Sequence, residues 1–296
     1  MKVKRSKGEI AFDIGNTVFM GLILFITLYP FWYVFVVSFN EGSDTALGGI
    51  YFWPRKFSLL NFQAVFNNPT IITGFTVTTL RTAIGAFIYV FFTGMVAFAL
   101  SHSHLIGRKI YIIIGIVTMF FGSGLIPYYM LIRNLGLRNT FWVFIIPAMF
   151  SFYDMIIMMT FFRNLPGEMS ESAKIDGAGY WRIFISIIIP LSGPILATMA
   201  LFSGVYHWND YFTAVLYIDK KELLPIQTIL FKIIAESQAV TMLTQVNLPS
   251  IIARRKLTSE SVKMATMVIT TAPIICVYPF LQKYFVKGML IGSVKG

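Results

Sequence analysis

Five stretches of this sequence, 14–39, 82–100, 110–132, 183–209 and 264–282, contain no Lys, Arg, Asp or Glu. A sixth, 139–162, contains only Asp154. A bilayer's hydrocarbon core is about 30 Å thick, so a helix needs about 20 mostly apolar residues to cross it. Each run is read as a crossing helix, the second entered near Ile71. The first is long enough to cross with tilt, and it lacks the small-residue cleavage site of a removable signal peptide. Little polar material remains to cover a water-soluble surface: 12% of residues are charged and 56% hydrophobic, against about 25% charged in an ordinary globular domain. The expected fold is all-α and polytopic, with six transmembrane helices and both termini on one side.

Other classes fall away quickly. Cys276 is the only cysteine, which excludes a disulfide scaffold. The net charge of +11 sits between apolar runs, not on a polar domain that would bind nucleic acid. No internal repeat is visible, which weighs against transporters built from two related halves. Lys and Arg nearly tie between the two sides, but Lys2, Lys4, Arg5 and Lys7 crowd the first span and favour cytoplasmic termini. The organisation expected is a cytoplasmic tail 1–13, a first span 14–39 and an outer loop 40–70. A core 71–287 follows, with five spans, a cytoplasmic loop 164–182 and an outer loop 217–262, and then a cytoplasmic tail 288–296.

The loop 164–182 carries most of the functional information. Pro166 stands just ahead of Glu168 and Glu171, a helix-start pattern because acids favour the positive end of the helix dipole. Gly177 permits the left-handed turn that ends a short helix. Trp181, Phe184, Ile187 and Ile188 then recur at helical spacing up to Pro190 and Pro194. A short helix, a sharp turn and a second helix re-entering the bilayer follow from this pattern. The short helix exposes small residues, Ser172 and Ala173, and is shaped to sit in another protein's groove; an ordinary polar loop with a chance helix is the alternative.

Glu171-Ser172-Ala173, three residues, Gly177, nine residues and Ile187-Ile188-Ile189-Pro190 resembles the EAA loop of ABC-transporter permeases, Glu-Ala-Ala-x3-Gly-x9-Ile-x-Leu-Pro. Ser172 and Ile189 depart from it by small changes of size or branching. The text from Ile175 to Ala178 and from Pro190 to Leu196 is similar to the carbohydrate importers related to the maltose permease. The stretches Tyr29-Pro30-Phe31 and His207-Trp208-Asn209-Asp210 resemble the subgroup for complex oligosaccharides and polysaccharide fragments.

That resemblance implies one half of the membrane channel of a type I importer in a bacterial cytoplasmic membrane. Its implied partners are a second homologous permease, two ATP-binding subunits carrying ATP and Mg, an extracytoplasmic solute-binding protein and a carbohydrate. The loop would be the coupling helix, with Glu171, Ser172, Ala173, Asp176 and Gly177 seated in the ATPase subunit. The same resemblance puts this loop in the cytoplasm.

No chemistry of the chain's own is expected. A phosphate-binding Gly-x-x-x-x-Gly-Lys-Ser/Thr loop is absent from the sequence, so ATP hydrolysis belongs to other chains. His102 and His104 alternate at the inner end of the second span but lack the further ligands zinc requires. No nucleophile elbow or zinc-hydrolase helix occurs. No catalytic residue, cofactor or metal is therefore assigned.

The polar residues inside the spans are the candidates for a substrate path. Arg81 falls at the outer interface of its span, where snorkelling explains it. Asp154 lies deep in the fourth span and should face the bundle or a watery cavity; hydrogen bonding to a sugar and stabilising the bundle are both open. Trp208, Asn209, Asp210 and Tyr211 combine an aromatic face with planar hydrogen-bonding groups, as a sugar site does; an interface anchor is the other reading. The stretch from Leu223 reads as a surface amphipathic helix, and Arg254, Arg255 and Lys256 would meet a binding protein, an acidic sugar or lipid headgroups. An ion-coupled secondary transporter is the main rival, with Asp154 its sole candidate ion ligand; a membrane-bound enzyme is the other.

Overall fold

The computed structural model describes residues 6–244 and 258–293. Among the described residues no strand forms beyond one isolated antiparallel bridge, Asn40 with Phe57. The chain divides into two compact units, Met1–Asn68 with Lys232–Thr271 and Pro69–Phe231 with Ala272–Gly296.

In the first unit, α1 (Lys7–Ser38) starts inside the expected tail. Its capping box is reciprocal: Glu9 N donates to Ser6 Oγ at 3.2 Å and Ser6 N to Glu9 Oε2 at 2.7 Å, which satisfies two orphan amides. Thr17 and Thr27 return their hydroxyls to carbonyls one turn back, as a polar side chain in an apolar span must. α2 (Gly42–Thr45) and α3 (Leu60–Phe66) belong to the following segment. Asn61 donates to the Ser38 and Asn40 carbonyls, and Asn40 to Asp44, all within 3.0 Å. Burial alone would raise the Asp44 carboxyl, but hydrogen bonds from Asn40 and Arg55 and the Arg55 charge outweigh it and hold Asp44 below its ordinary value. Trp32 meets Trp53 edge-on, and Phe39 stacks on Phe57.

The second unit is built on α4 (Pro69–Ser101), which is the expected second span extended to its first Pro. It packs against α7 (Phe152–Arg163) and α10 (Gly193–Asn209). Met155, Met158, Met159 and Phe162 of α7 are buried at helical spacing against Phe98 and Leu100 of α4 and Met199 of α10. Glycines let α4 approach its neighbours closely, as small residues do in membrane bundles. A Cβ on Gly85 would collide with the His207 imidazole, whereas one on Gly204 would meet only Thr82 at 3.8 Å. Gly85→Ala is therefore expected to lower stability by about 1–3 kcal/mol through overpacking. Gly204→Ala should leave melting of the detergent-solubilised protein unchanged.

Three expected spans are not single helices. The third becomes α5 (Arg108–Phe120) and α6 (Leu125–Asn134), bent by 119°, with Gly124 left-handed at the break. The fifth becomes α9 (Tyr180–Leu191) and α10, bent by 85° about Ser192, where Pro190, Gly193 and Pro194 crowd together. The fourth begins as a 3-10 turn, Phe141–Phe144, and runs irregularly through Pro147 before α7 starts. α7 has 12 residues, about 18 Å of helix, too short to cross alone. Three helical segments suffice by themselves in length and apolarity: Lys7–Ser38, Pro69–Ser101 and Ser259–Val277. The two bent pairs raise that number to 5 among the described residues.

Beyond α10 come α11 (Phe212–Tyr217) and α12 (Ile226–Thr244). The expected surface helix is in fact anchored at its start. Ile226 is buried, its N–H donates to Thr78 Oγ1 at 2.9 Å, and Ile229 fills the space over Gly74. The last helix, α13 (Ser259–Ser293), is capped by reciprocal bonds between Thr258 and Ser261. Arg254, Arg255 and Lys256 lie outside the described residues.

Candidate functional site

The 164–182 segment folds as its sequence predicts. Pro166 precedes α8 (Gly167–Ile175), Glu168 sits in the first turn and Lys174 in the last. Asp176 closes the helix and Gly177 follows with φ +79°. Gly177 N donates to Lys174 O at 3.0 Å and Ala178 N to Ala173 O at 2.8 Å. That pair of bonds is the Schellman motif, which a left-handed glycine makes possible. Ala173 and Ala178, the two residues the motif brings together, pack on the cluster that contains Phe162, Ile183 and Phe184. No residue of α8 is fully buried, and Ile175 is 86% exposed. Lys174 Nζ stands 5.1 Å from the Tyr180 ring centre. The result is a short helix fixed at its C-terminal end and presenting Glu168, Glu171, Ser172 and Ile175 outward.

The second site is a polar cavity of 360 Å³ in the unit that holds α4, α7 and α10. Tyr89 of α4, Asp154 of α7, and Ser203 and Tyr206 of α10 line it, with Pro147, Ala148, Phe150 and Ser151 from the irregular segment. Asp154 is in the first turn of α7, not in the middle of a long span, and its N–H donates to Ser151 Oγ at 3.3 Å. The Tyr89 hydroxyl donates to its carboxylate. Irregular backbone at membrane depth is tolerated where it lines a watery cavity, which accounts for the broken fourth span.

Trp208, Asn209, Asp210 and Tyr211 do not join Asp154. Trp208 lines a separate, apolar cavity with Thr82, Ala86 and Pro273, and meets Phe75 edge-on at 6.0 Å. Asn209 donates to Val205 O at 3.0 Å, and Tyr211 stacks on Phe231 at 4.8 Å. Asp210 holds Arg81, which does not snorkel. Arg81 is 0% exposed; its Nη1 lies 3.4 Å from Asp210 Oδ2, its Nη2 donates to the Asp210 carbonyl, and its guanidinium lies over Phe144 at 4.9 Å. Sequence reasoning missed Tyr89, Ser203 and Tyr206. Part of the signal was present: Ser203, His207 and Asp210 follow one another at helical spacing along an apolar span. His102 Nδ1 stands 2.8 Å from the Phe98 carbonyl, and among the described residues no three His, Cys, Asp or Glu side chains gather as a metal site.

Residues 14–291 match the family described as binding-protein-dependent transport system inner membrane component. Protein LplC of Bacillus subtilis (strain 168) is 38% identical over 98% of this chain and 97% of its own length. The polygalacturonan/rhamnogalacturonan transport system permease protein YtcP of the same organism is 35% identical over 96% of this chain and 98% of its own. Among solved structures, a chain of a bacterial ABC transporter involved in import of the acidic polysaccharide alginate superposes with a TM-score of 0.86 at 28% identity. The match covers 96% of this chain and 100% of that one.

Proposed function

We propose a function from one premise: the chain belongs to the family of binding-protein-dependent transport system inner membrane components. It is a membrane-embedded permease subunit of a sugar ABC importer, and it is a transport subunit, not an enzyme. Within that class we assign it oligosaccharides or polysaccharide fragments, in keeping with the substrates named for YtcP and for the alginate importer. A second permease would complete the path, two ATPase subunits carrying ATP and Mg would drive it, and an extracytoplasmic binding protein would deliver the sugar. Both termini and α8 would lie in the cytoplasm.

The observation that carries the coupling role is α8 itself, an outward-facing helix with no buried residue, locked at Gly177 onto a packed core. Seated in a cleft of the ATPase, it would act as a lever. Closure of the nucleotide-binding pair would press on Glu171, Ser172 and Ala173. The push would pass through the Ala173–Ala178 contact into α9 and α4, because close-packed interiors transmit strain instead of absorbing it. Glu171 is placed to accept a charge-assisted hydrogen bond from that partner. Asp154 and the polar cavity are assigned to the sugar path, whereas Asp210 is assigned to holding Arg81.

A single-cysteine test follows from the exposed Cys276. In a Cys276→Ser background, Ser172→Cys should crosslink to a cysteine introduced in the ATPase cleft, with a yield that changes when nucleotide is bound. Labelling of the introduced thiol only by an impermeant reagent on the outside of intact cells would end this assignment.

A further inference from the structure

The polar cavity has a charge character that bears on which sugar unit enters it. Asp154 is the only charged side chain among its described lining residues. The buried Arg81 is committed to Asp210 and does not line it. The remaining polar groups are hydroxyls, from Tyr89, Ser151, Ser203 and Tyr206, and the aromatic faces come from Phe150, Phe202 and Tyr206. At 360 Å³ the cavity lies at the small end of the about 300–1,000 Å³ range of small-molecule sites.

We propose that Asp154 makes this cavity selective for a neutral, hydroxyl-bearing sugar ring and excludes a uronate carboxylate from the same place. The proposal rests on the permease reading above. An ionised carboxylate only accepts hydrogen bonds and offers about four lone-pair positions. Tyr89 takes one of them, which leaves the others for neighbouring ring hydroxyls. The C–H faces of a sugar ring suit Phe150, Phe202 and Tyr206, while Ser203 and Tyr206 supply donors for ring oxygens. A second carboxylate placed beside Asp154 meets like charge in a low-dielectric surround, with no cation among the described lining residues to offset it.

The test uses the assembled, nucleotide-free transporter in detergent, titrated by calorimetry with a galactose trisaccharide and a galacturonic acid trisaccharide. The wild type should bind the neutral probe at least about tenfold more tightly. Asp154→Asn should bring the two affinities within about threefold by strengthening the acidic probe, and Asp154→Glu should retain the preference. Ser203→Ala should weaken the neutral probe and leave the acidic one unmoved. Equal or tighter binding of the acidic probe by the wild type overturns the proposal without any variant having to fold. So does a ratio that Asp154→Asn leaves unchanged, and so does binding of neither probe. The crosslink at Ser172 is independent of all three outcomes, so failure here leaves the permease reading standing.

Discussion

Asp210→Ala is expected to cost the assembled transporter about 3–5 kcal/mol of stability, the penalty for removing one partner of a buried ion pair. Arg81 has no route to water: its side chain is 0% exposed, and the Asp210 side chain only 12%. The guanidinium rests on three supports, the Asp210 carboxylate at 3.4 Å, the Asp210 backbone carbonyl and the face of Phe144. Truncation at Ala keeps the carbonyl and the ring but leaves the positive charge without its counter-ion in the bundle. The same carboxylate also accepts from Thr213 N at 3.1 Å through Oδ1, capping α11, and loss of a cap adds about 1 kcal/mol. Asp210→Asn keeps a cap acceptor while removing the charge, so its loss should be smaller. Arg81→Met with Asp210→Asn should recover much of the stability, because an uncharged pair of similar volume carries no desolvation penalty. Melting of the detergent-solubilised complex, followed by fluorescence-detected gel filtration, reads all of these. Wild-type melting of Asp210→Ala would mean that water reaches Arg81 and that the pair does not hold α4 to α10.

The contrast between Arg81 and Gly177 marks what was legible in the sequence. Both ends of α8 could be read because their causes are local. Pro166 starts it, and a glycine one residue past the cap ends it. Apolar run length located α1 and α4 for the same reason, since crossing a bilayer is a condition on consecutive residues. Arg81 was misplaced because its partner is 129 residues away, and depth along a helix does not say what stands opposite. The breaks in the third and fifth spans were marked by Gly124 and by Pro190 with Pro194. Apolar content still made each run read as one helix, although hydropathy carries no information about bend angle. The substrate candidates divide for a different reason. Trp208 to Tyr211 are neighbours in the chain, but the helix ends at Asn209 and Asp210 is extended, so the stretch is divided among an apolar cavity, a bond to the helix backbone, an ion pair and a stacked ring.

Gly177→Asp is expected to abolish sugar-stimulated ATP hydrolysis, a loss of at least about tenfold, while the complex still assembles. A Cβ at Gly177 meets nothing within 4 Å, so no clash drives the effect. Two causes remain, backbone strain as the smaller and added charge as the larger. At φ +79° an L-residue other than glycine is strained by about 1–2 kcal/mol, small beside the packing of α4, α7 and α10 but concentrated on the two bonds that orient α8. Aspartate adds a second negative charge next to Asp176 at the negative end of the helix dipole, on the surface where α8 would meet its partner. Asparagine enters the left-handed region as readily as aspartate and brings no charge, so Gly177→Asn should keep most of the stimulation. That difference separates the two causes. Equal loss in both variants would assign the effect to backbone strain alone, and intact stimulation in both would remove α8 from the coupling path. If Asp alone fails, the docking surface is sensitive to charge at the end of α8. In that case the lever needs an unobstructed C-terminal end as well as a rigid one, which explains why small Ala173 and Ala178, packed on the core, flank a turn that only glycine makes without strain.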